Sequence, residues 1–440
     1  MYELLIRNAD ILRPDGSVIR NGAIGITKGR IADVLTADEA DRIYAEIRNE
    51  SGIMKIVEGG SMLAAPGFVN THTHIAMGLF RNYADDLELM DWLQNEIWPI
   101  EAKLTSEHVR IGTRLGIAEM LRSGTTCFSD MYFFMEDTAD VVAETGMRAV
   151  LARGLAGVAP TAESALAESR TLFNERHGYD DMRIKVMLGP HAPYTCPDDY
   201  MRRVVELGRE LGAELHMHLC ETKGEVAAVV ERTGKTPIAH MNDLGAFDCG
   251  LVAAHAVWLT DEDRDIMREK NVRVAHNPQS NLKLASGIAE LTKLLDKGIV
   301  VGLGTDGSAS NNNADMLEEV RLAAMLHKGT TNDPKAVPAN RAFALGTVLG
   351  ARVLGYDDLG TIEVGQRADI VLYDTTGVHW TPRYNDLASL VYAANASDAD
   401  TVIVAGKVLM RHRELLTIDE EKLLHDARKA GEYFGGFKKG

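Results

Sequence analysis

Eight short apolar runs, each closing on a polar residue or a glycine and each followed by room for a helix, constrain this chain more than any other feature. The runs end near His74, Asp130, Gly154, His191, Glu221, His255, His276 and Asp306, with helical patterns over stretches such as 107–123, 198–211 and 261–270 between them. Nearly continuous apolar strands that alternate with helices belong to a parallel sheet covered by helices on its outer face. Eight such units predict an α/β chain folded as a (β/α)8 TIM barrel, whose chemistry gathers at the carboxyl ends of the strands. Residues far apart in sequence then share one mouth.

The polar ends of these runs are the candidate site. His72 and His74 stand in Pro66-Gly-Phe-Val-Asn-Thr-His-Thr-His74, and side chains two apart on a strand share a face, while Thr71 and Thr73 point away. By itself a His-x-His pair is open between a metal site and two packed or hydrogen-bonded histidines. His218 and Glu221 lie in Ala213-Glu-Leu-His-Met-His-Leu-Cys-Glu-Thr222, His255 closes Leu251-Val-Ala-Ala-His255, and Asp306 closes Gly298-Ile-Val-Val-Gly-Leu-Gly-Thr-Asp306. So many polar residues brought to one mouth are hard to ascribe to packing.

Five motifs now carry a resemblance: the His-Thr-His segment, His218-Leu-Cys-Glu221, Ala254-His255, His276-Asn-Pro-Gln-Ser-Asn-Leu-Lys-Leu284 and Gly304-Thr-Asp-Gly-Ser-Ala-Ser-Asn-Asn312. Over essentially its whole length the chain resembles the amidohydrolase superfamily, in the branch of adenosine-type deaminases, including 5′-methylthioadenosine and S-adenosylhomocysteine deaminases, and related chlorohydrolases. The resemblance implies that His72, His74, His218 and Asp306 bind one divalent metal, with Glu221 and His255 lining the attacking water. Three imidazoles and a carboxylate suit zinc, and iron or manganese fit too, because ligand type alone does not select the metal. The catalytic set is then Glu221, His255 and Asp306, with Glu221 carrying a proton to the ring nitrogen beside the carbon under attack.

Some members of the superfamily bridge two metals with a carboxylated lysine ending the fourth strand. Here that strand reads Arg183-Ile-Lys-Val-Met-Leu-Gly-Pro-His191, with Lys185 near its start, so one metal is expected. By resemblance His191 hydrogen-bonds a purine nitrogen; the plainer alternative is a histidine that orders its loop. The zinc deaminases that act on flipped bases need Cys-x-x-Cys, which this chain lacks.

Residues 77–104 form too long a connection for a turn and read as a substrate lid. The resemblance places Trp92 against the apolar side of the substrate and Glu101 on both ribose hydroxyls, a pairing that suits a carboxylate acceptor. Trp98 reads as packing. Arg153 matches an arginine serving the 5′ side of the nucleoside, but residues 155–169 contain no Lys or Arg, whereas members that accept S-adenosylhomocysteine hold its carboxylate with a second arginine there. Arginine–carboxylate pairing is poorly replaced, so better activity is expected on 5′-methylthioadenosine, 5′-deoxyadenosine or adenosine. Ser310 sits where the family has a serine at the active face and counts as a further substrate contact. His276 orders a turn-rich loop around Asn277-Pro278 and Ser280-Asn281, and His216 belongs to a deeper layer inside the barrel.

Residues 1–65 read as short strands, including the stretch 43–57, and residues 355–440 return to strands before a last helix over 419–433. Neither end is a sufficient core alone. The economical reading is a small β-sandwich built from both termini beside a catalytic barrel over 66–354. The chain has 440 residues, 45% hydrophobic and 25% charged, with no apolar run long enough to span a membrane and no signal-peptide pattern at its start. A cytoplasmic enzyme is expected, and the four cysteines fit reduced thiols. A net charge of −17 argues against nucleic-acid or anionic-membrane partners and fits a small nucleoside substrate. A symmetric homo-oligomer is the prior for its assembly. Two other functions compete: deamination or dechlorination of another heterocycle (guanine, cytosine, a pterin, an s-triazine), and a catalytically silent amidohydrolase-like binding protein, which would be expected to have lost ligands.

Overall fold

The computed structural model describes residues 2–47, 55–60 and 62–435. Eight parallel strands run in sequence order as neighbours: Phe68–Thr73, Thr125–Tyr132, Arg148–Leu155, Ile184–Pro190, Leu215–Leu219, Leu251–His255, Arg273–His276 and Val301–Leu303. The last closes on the first. The Asp306 N–H donates to the His72 carbonyl at 2.9 Å, and the Asn70 amide exchanges hydrogen bonds of 2.8 and 3.0 Å with the Thr305 hydroxyl and N–H. The first, second, fifth and sixth strands are buried at every residue, as expected where side chains face either the barrel interior or the surrounding helices.

Helices Ser106–Arg122, Asp198–Leu211 and Asp261–Glu269 lie where the apolar periodicity puts them, and side-chain caps account for two of their starts. Thr105 accepts the His108 N–H, and Thr260 with Asp263 forms a reciprocal capping box. Residues 278–283, read as a turn, instead make a short helix with Pro278 in its first turn, a position that needs no N–H donor.

Among the described residues the terminal strands form one nine-stranded, mostly antiparallel sheet, so the expected sandwich is a single hydrogen-bonded sheet drawing on both ends of the chain. Leu4–Leu12 pairs with Met62–Pro66, which pairs in turn with Ile370–Asp374. An apolar cluster including Leu4, Ile6, Ile24, Ile370, Leu372 and Ile403 covers one face. The stretch 43–57 corrects the sequence reading. Ile43 lies in a helix, Ala37–Ile47, whose Ala40, Ile43 and Tyr44 pack on Leu5, Ala23 and Leu35; residues 48–54 fall outside the described residues, and Lys55–Glu58 is a strand. Spacing of 3 and 4 between the apolar residues is helical, and it outweighs the β-prone Ile43 and Tyr44.

Two features tie this sheet to the barrel. Gly67 joins Met62–Pro66 to the first barrel strand, and a Cβ there would lie 2.2 Å from the Thr126 side chain, so only glycine fits. Arg148, on the third barrel strand, makes a buried two-pronged pair of 2.8 and 2.9 Å with Asp369. The last helix, Glu420–Tyr433, starts at the Asp419 cap, and beside it Phe434 packs against Phe80 and His108. No helix among the described residues is long and apolar enough to cross a membrane.

Candidate active site

The carboxyl ends of the first, fifth, sixth and eighth barrel strands bring His72, His74, His218, Glu221, His255 and Asp306 together. His72 Nε2 and His74 Nε2 lie 3.5 and 3.3 Å from Asp306 Oδ1, and the Nε2 atoms of His74 and His218 are 3.3 Å apart. The ligand atoms of His72, His218 and His255 fall within 4.8 Å of one another, as do those of His72, His74 and Asp306. Glu221 Oε2 is 3.8 Å from His255 Nε2.

Local backbone chemistry aims these groups. Asp130, at the second strand, accepts the Ile75 N–H at 2.6 Å and the Thr73 hydroxyl at 2.8 Å, which bends the chain immediately after His74. Cys220 (φ 56°), His255 (φ 73°) and Asp306 (φ 66°) occupy the left-handed region, so three strands turn sharply into the mouth at or beside a functional side chain. Such conformations are costly for residues other than glycine and cluster at functional sites.

The outer ring nitrogens are all engaged. His74 Nδ1 is 2.6 Å from the Met131 carbonyl and His218 Nδ1 is 2.7 Å from the His191 carbonyl. A carbonyl only accepts, so each Nδ1 carries the proton and each Nε2 presents a bare lone pair. Two lone pairs facing each other at 3.3 Å, beside a carboxylate oxygen, repel unless a cation lies among them. His72 Nε2 is likewise buried without a hydrogen-bond partner, while its Nδ1 sits 3.0 Å from His216 Nε2. Burial pushes His72 down to about 4 and His218 well below its ordinary range, so both rings are neutral at physiological pH. This donor set fits a divalent metal on its own chemistry.

Asp306 is held by its neighbours rather than by solvent. The Ser280 and Ser310 hydroxyls donate to Oδ2 at 2.6 and 3.0 Å, and the Gly307 N–H donates to Oδ1 at 2.8 Å. Burial alone would raise its pKa, but the His72 ring 3.5 Å away and the neighbouring His74 and His255 imidazoles outweigh it and hold the carboxylate well below its ordinary range. Burial pushes the Glu221 carboxyl up, as suits a group that takes and returns a proton.

A cavity of about 880 Å³ opens outward from these residues. Trp92, Glu101, Arg153, His191 and Ser310 all line it. Burial pushes the Glu101 carboxyl up to about 7. His191 Nδ1 is 2.9 Å from the Thr195 hydroxyl, and the Trp92 indole N–H donates to the Ala84 carbonyl at 3.1 Å. Trp98, read as packing, also lines the cavity and is 38% exposed. His276 does not join the site: its Nε2 faces His327 Nε2 at 3.3 Å in the interior. Lys185 is remote as well, its ammonium donating to the Leu354 and Gly355 carbonyls.

Several supporting residues were not singled out from sequence. Asn281 Oδ1 lies 2.8 Å from His255 Nδ1, and Ser280 holds Asp306; both stand in the segment read only as a turn. Glu225 accepts the N–H groups of Cys220 and Glu221 at 2.9 and 2.8 Å, fixing the turn that presents Glu221. Its signal was legible, since Thr222-Lys-Gly-Glu225 has the Ser/Thr-x-x-Glu pattern of a helix start.

Comparison with known proteins agrees with this architecture. The family model described as Amidohydrolase family matches residues 63–409. A 5-methylthioadenosine/S-adenosylhomocysteine deaminase from Dictyoglomus thermophilum is 50% identical over 85% of this chain and 88% of its own. A 5′-deoxyadenosine deaminase from Methanosarcina mazei is 44% identical over 98% of both chains. The crystal structure of an adenosine deaminase from Xanthomonas campestris with bound zinc superposes with a TM-score of 0.92 at 36% identity, covering 99% of each chain. With a family match of that extent and relatives this similar over nearly their whole length, the chain belongs to the amidohydrolase family.

Proposed function

We propose that this protein is a metal-dependent aminohydrolase that replaces the 6-amino group of an adenosine-type nucleoside with oxygen and releases ammonia. The observation that carries the reading is the pair of bare Nε2 lone pairs on His74 and His218 beside Asp306, at the inner end of a cavity that also holds Glu221, His191 and Glu101. His72, His74, His218 and Asp306 would hold one divalent ion, zinc by preference; when bound, it supplies a water acidic enough to attack near neutral pH.

The chain's own residues do the rest. Glu221, raised by burial, donates a proton to the ring nitrogen beside the carbon under attack and so makes that carbon a better electrophile. His255, oriented by Asn281, faces Glu221 and steadies its ionised form. Asp306, clamped by Ser280 and Ser310, takes the proton shed by the attacking water and returns it to the departing amino group, which leaves as ammonia, while Glu221 recovers its proton from the new oxygen as the carbonyl forms. His191 donates to a purine nitrogen, Trp92 packs on the apolar side of the nucleoside, and the Glu101 carboxylate accepts from both ribose hydroxyls.

The deciding experiment measures ammonia release, with the accompanying ultraviolet change, from zinc-replete protein given 5′-methylthioadenosine, 5′-deoxyadenosine, adenosine, S-adenosylhomocysteine and guanine in parallel. Turnover of the first three above the fourth is the expected result. Turnover of guanine alone overturns the nucleoside reading, and turnover of none overturns the deaminase reading.

A further inference from the structure

The outer end of the cavity carries a feature that the proposed reaction does not use. Arg153 is the single Lys or Arg among its described lining residues, and two of its three guanidinium nitrogens are already engaged: its Nε donates to Glu168 Oε2 at 2.6 Å, and its Nη1 donates to the Gly154 carbonyl. Glu168 belongs to the helix Ala162–Arg176, has a half-exposed side chain and lines the same cavity. Glu136 and Asp137 also line this wall, each facing an arginine outside the cavity, Arg176 at 3.0 Å and Arg110 at 3.6 Å. Around them stand apolar side chains that a monomer ordinarily covers: Trp98 is 38%, Phe134 41% and Val158 63% exposed, and all three line the cavity.

We propose that Glu168 is a specificity-determining residue: by occupying the Arg153 guanidinium it excludes a carboxylate-bearing 5′ substituent and leaves an apolar rim suited to a small uncharged one. The inference rests on the adenosine-type reading above and goes further, because it assigns tail selection to an acid on this chain rather than to the lack of a second arginine. A tail carboxylate reaching Arg153 has to compete with Glu168 for the guanidinium and meets the Glu168 charge on the way. A methylthio or methyl group meets none of this and covers the exposed rim.

The test is the ratio of kcat/KM for S-adenosylhomocysteine to that for 5′-methylthioadenosine, measured on zinc-loaded wild type, Glu168→Gln and the double variant Glu168→Gln/Arg153→Met. Glu168→Gln raises the ratio about tenfold, the worth of one charge-assisted hydrogen bond gained by the tail, chiefly by lowering KM for S-adenosylhomocysteine. The double variant loses that gain, which a merely structural role for Glu168 does not predict. An unchanged ratio in Glu168→Gln, or a gain that survives Arg153→Met, overturns the role of Glu168 while leaving the deaminase reading intact. If the wild type turns over neither nucleoside, the deaminase reading fails and this inference falls with it.

Discussion

The two ends of the cavity are built in opposite ways. At the inner end every donor sits at or just beyond a barrel strand, is buried or nearly so, and has its outer atom tied to a backbone carbonyl, an amide, a hydroxyl or, for His72, the His216 imidazole. At the outer end much of the wall comes from connecting segments with partly exposed side chains, and its cation, Arg153 on the third strand, is paired with a half-exposed acid on an outer helix, Glu168. Strand ends hold the groups that need ångström precision, while a half-exposed acid on an outer helix tunes the cation that a tail would meet. The inner end therefore tolerates almost no substitution, and the outer end is open to change of specificity.

The sharpest way to break this contrast is Glu221→Gln. It lowers kcat by about 10²–10⁴-fold, the range for loss of a general acid–base, with the bound metal unchanged. Steady-state kinetics paired with metal analysis checks it, and full activity removes Glu221 from the reaction. Next, His216→Phe removes the partner 3.0 Å from His72 Nδ1 and weakens metal retention by about 10–100-fold, read by chelator competition. Retention equal to wild type would make His216 a packing residue only.

Glu101 gives a smaller, pH-dependent effect. Its carboxyl is raised to about 7, so it is a protonated, poor diol acceptor below that pH and an ionised, good one above. kcat/KM for ribose-bearing substrates therefore falls as pH drops through about 7, approaching tenfold per unit, and Glu101→Gln flattens that limb at a low value. An unaltered acid limb in the variant would assign it elsewhere. The smallest effect on catalysis belongs to the terminal sheet. Ile6→Ala, at a fully buried position of its apolar cluster, costs about 2–5 kcal/mol in chemical denaturation and leaves kcat and KM within error.

Much of this molecule is legible from the chain. The eight apolar runs mark the barrel strands because a strand buried on both faces has no polar positions to spare until it reaches the mouth, where the functional residues begin. His72, His74, His218, Glu221, His255 and Asp306 stand out for that reason, and the structure brings all six together. The helix at Ala37–Ile47 was misread because strand propensity at Ile43 and Tyr44 concealed a helical spacing that matters only once Leu5, Ala23 and Leu35 are there to receive it.

Local pattern by itself determined the barrel, the strand-end donors and the chemical type of the site, because all three follow from which residues interrupt an apolar run. Only the tertiary structure decided which ring nitrogen is free, which hydroxyls clamp Asp306, and that Glu168 holds Arg153. Those are pairings between segments that meet only after the barrel closes, and no one-dimensional spacing encodes the distance between their atoms.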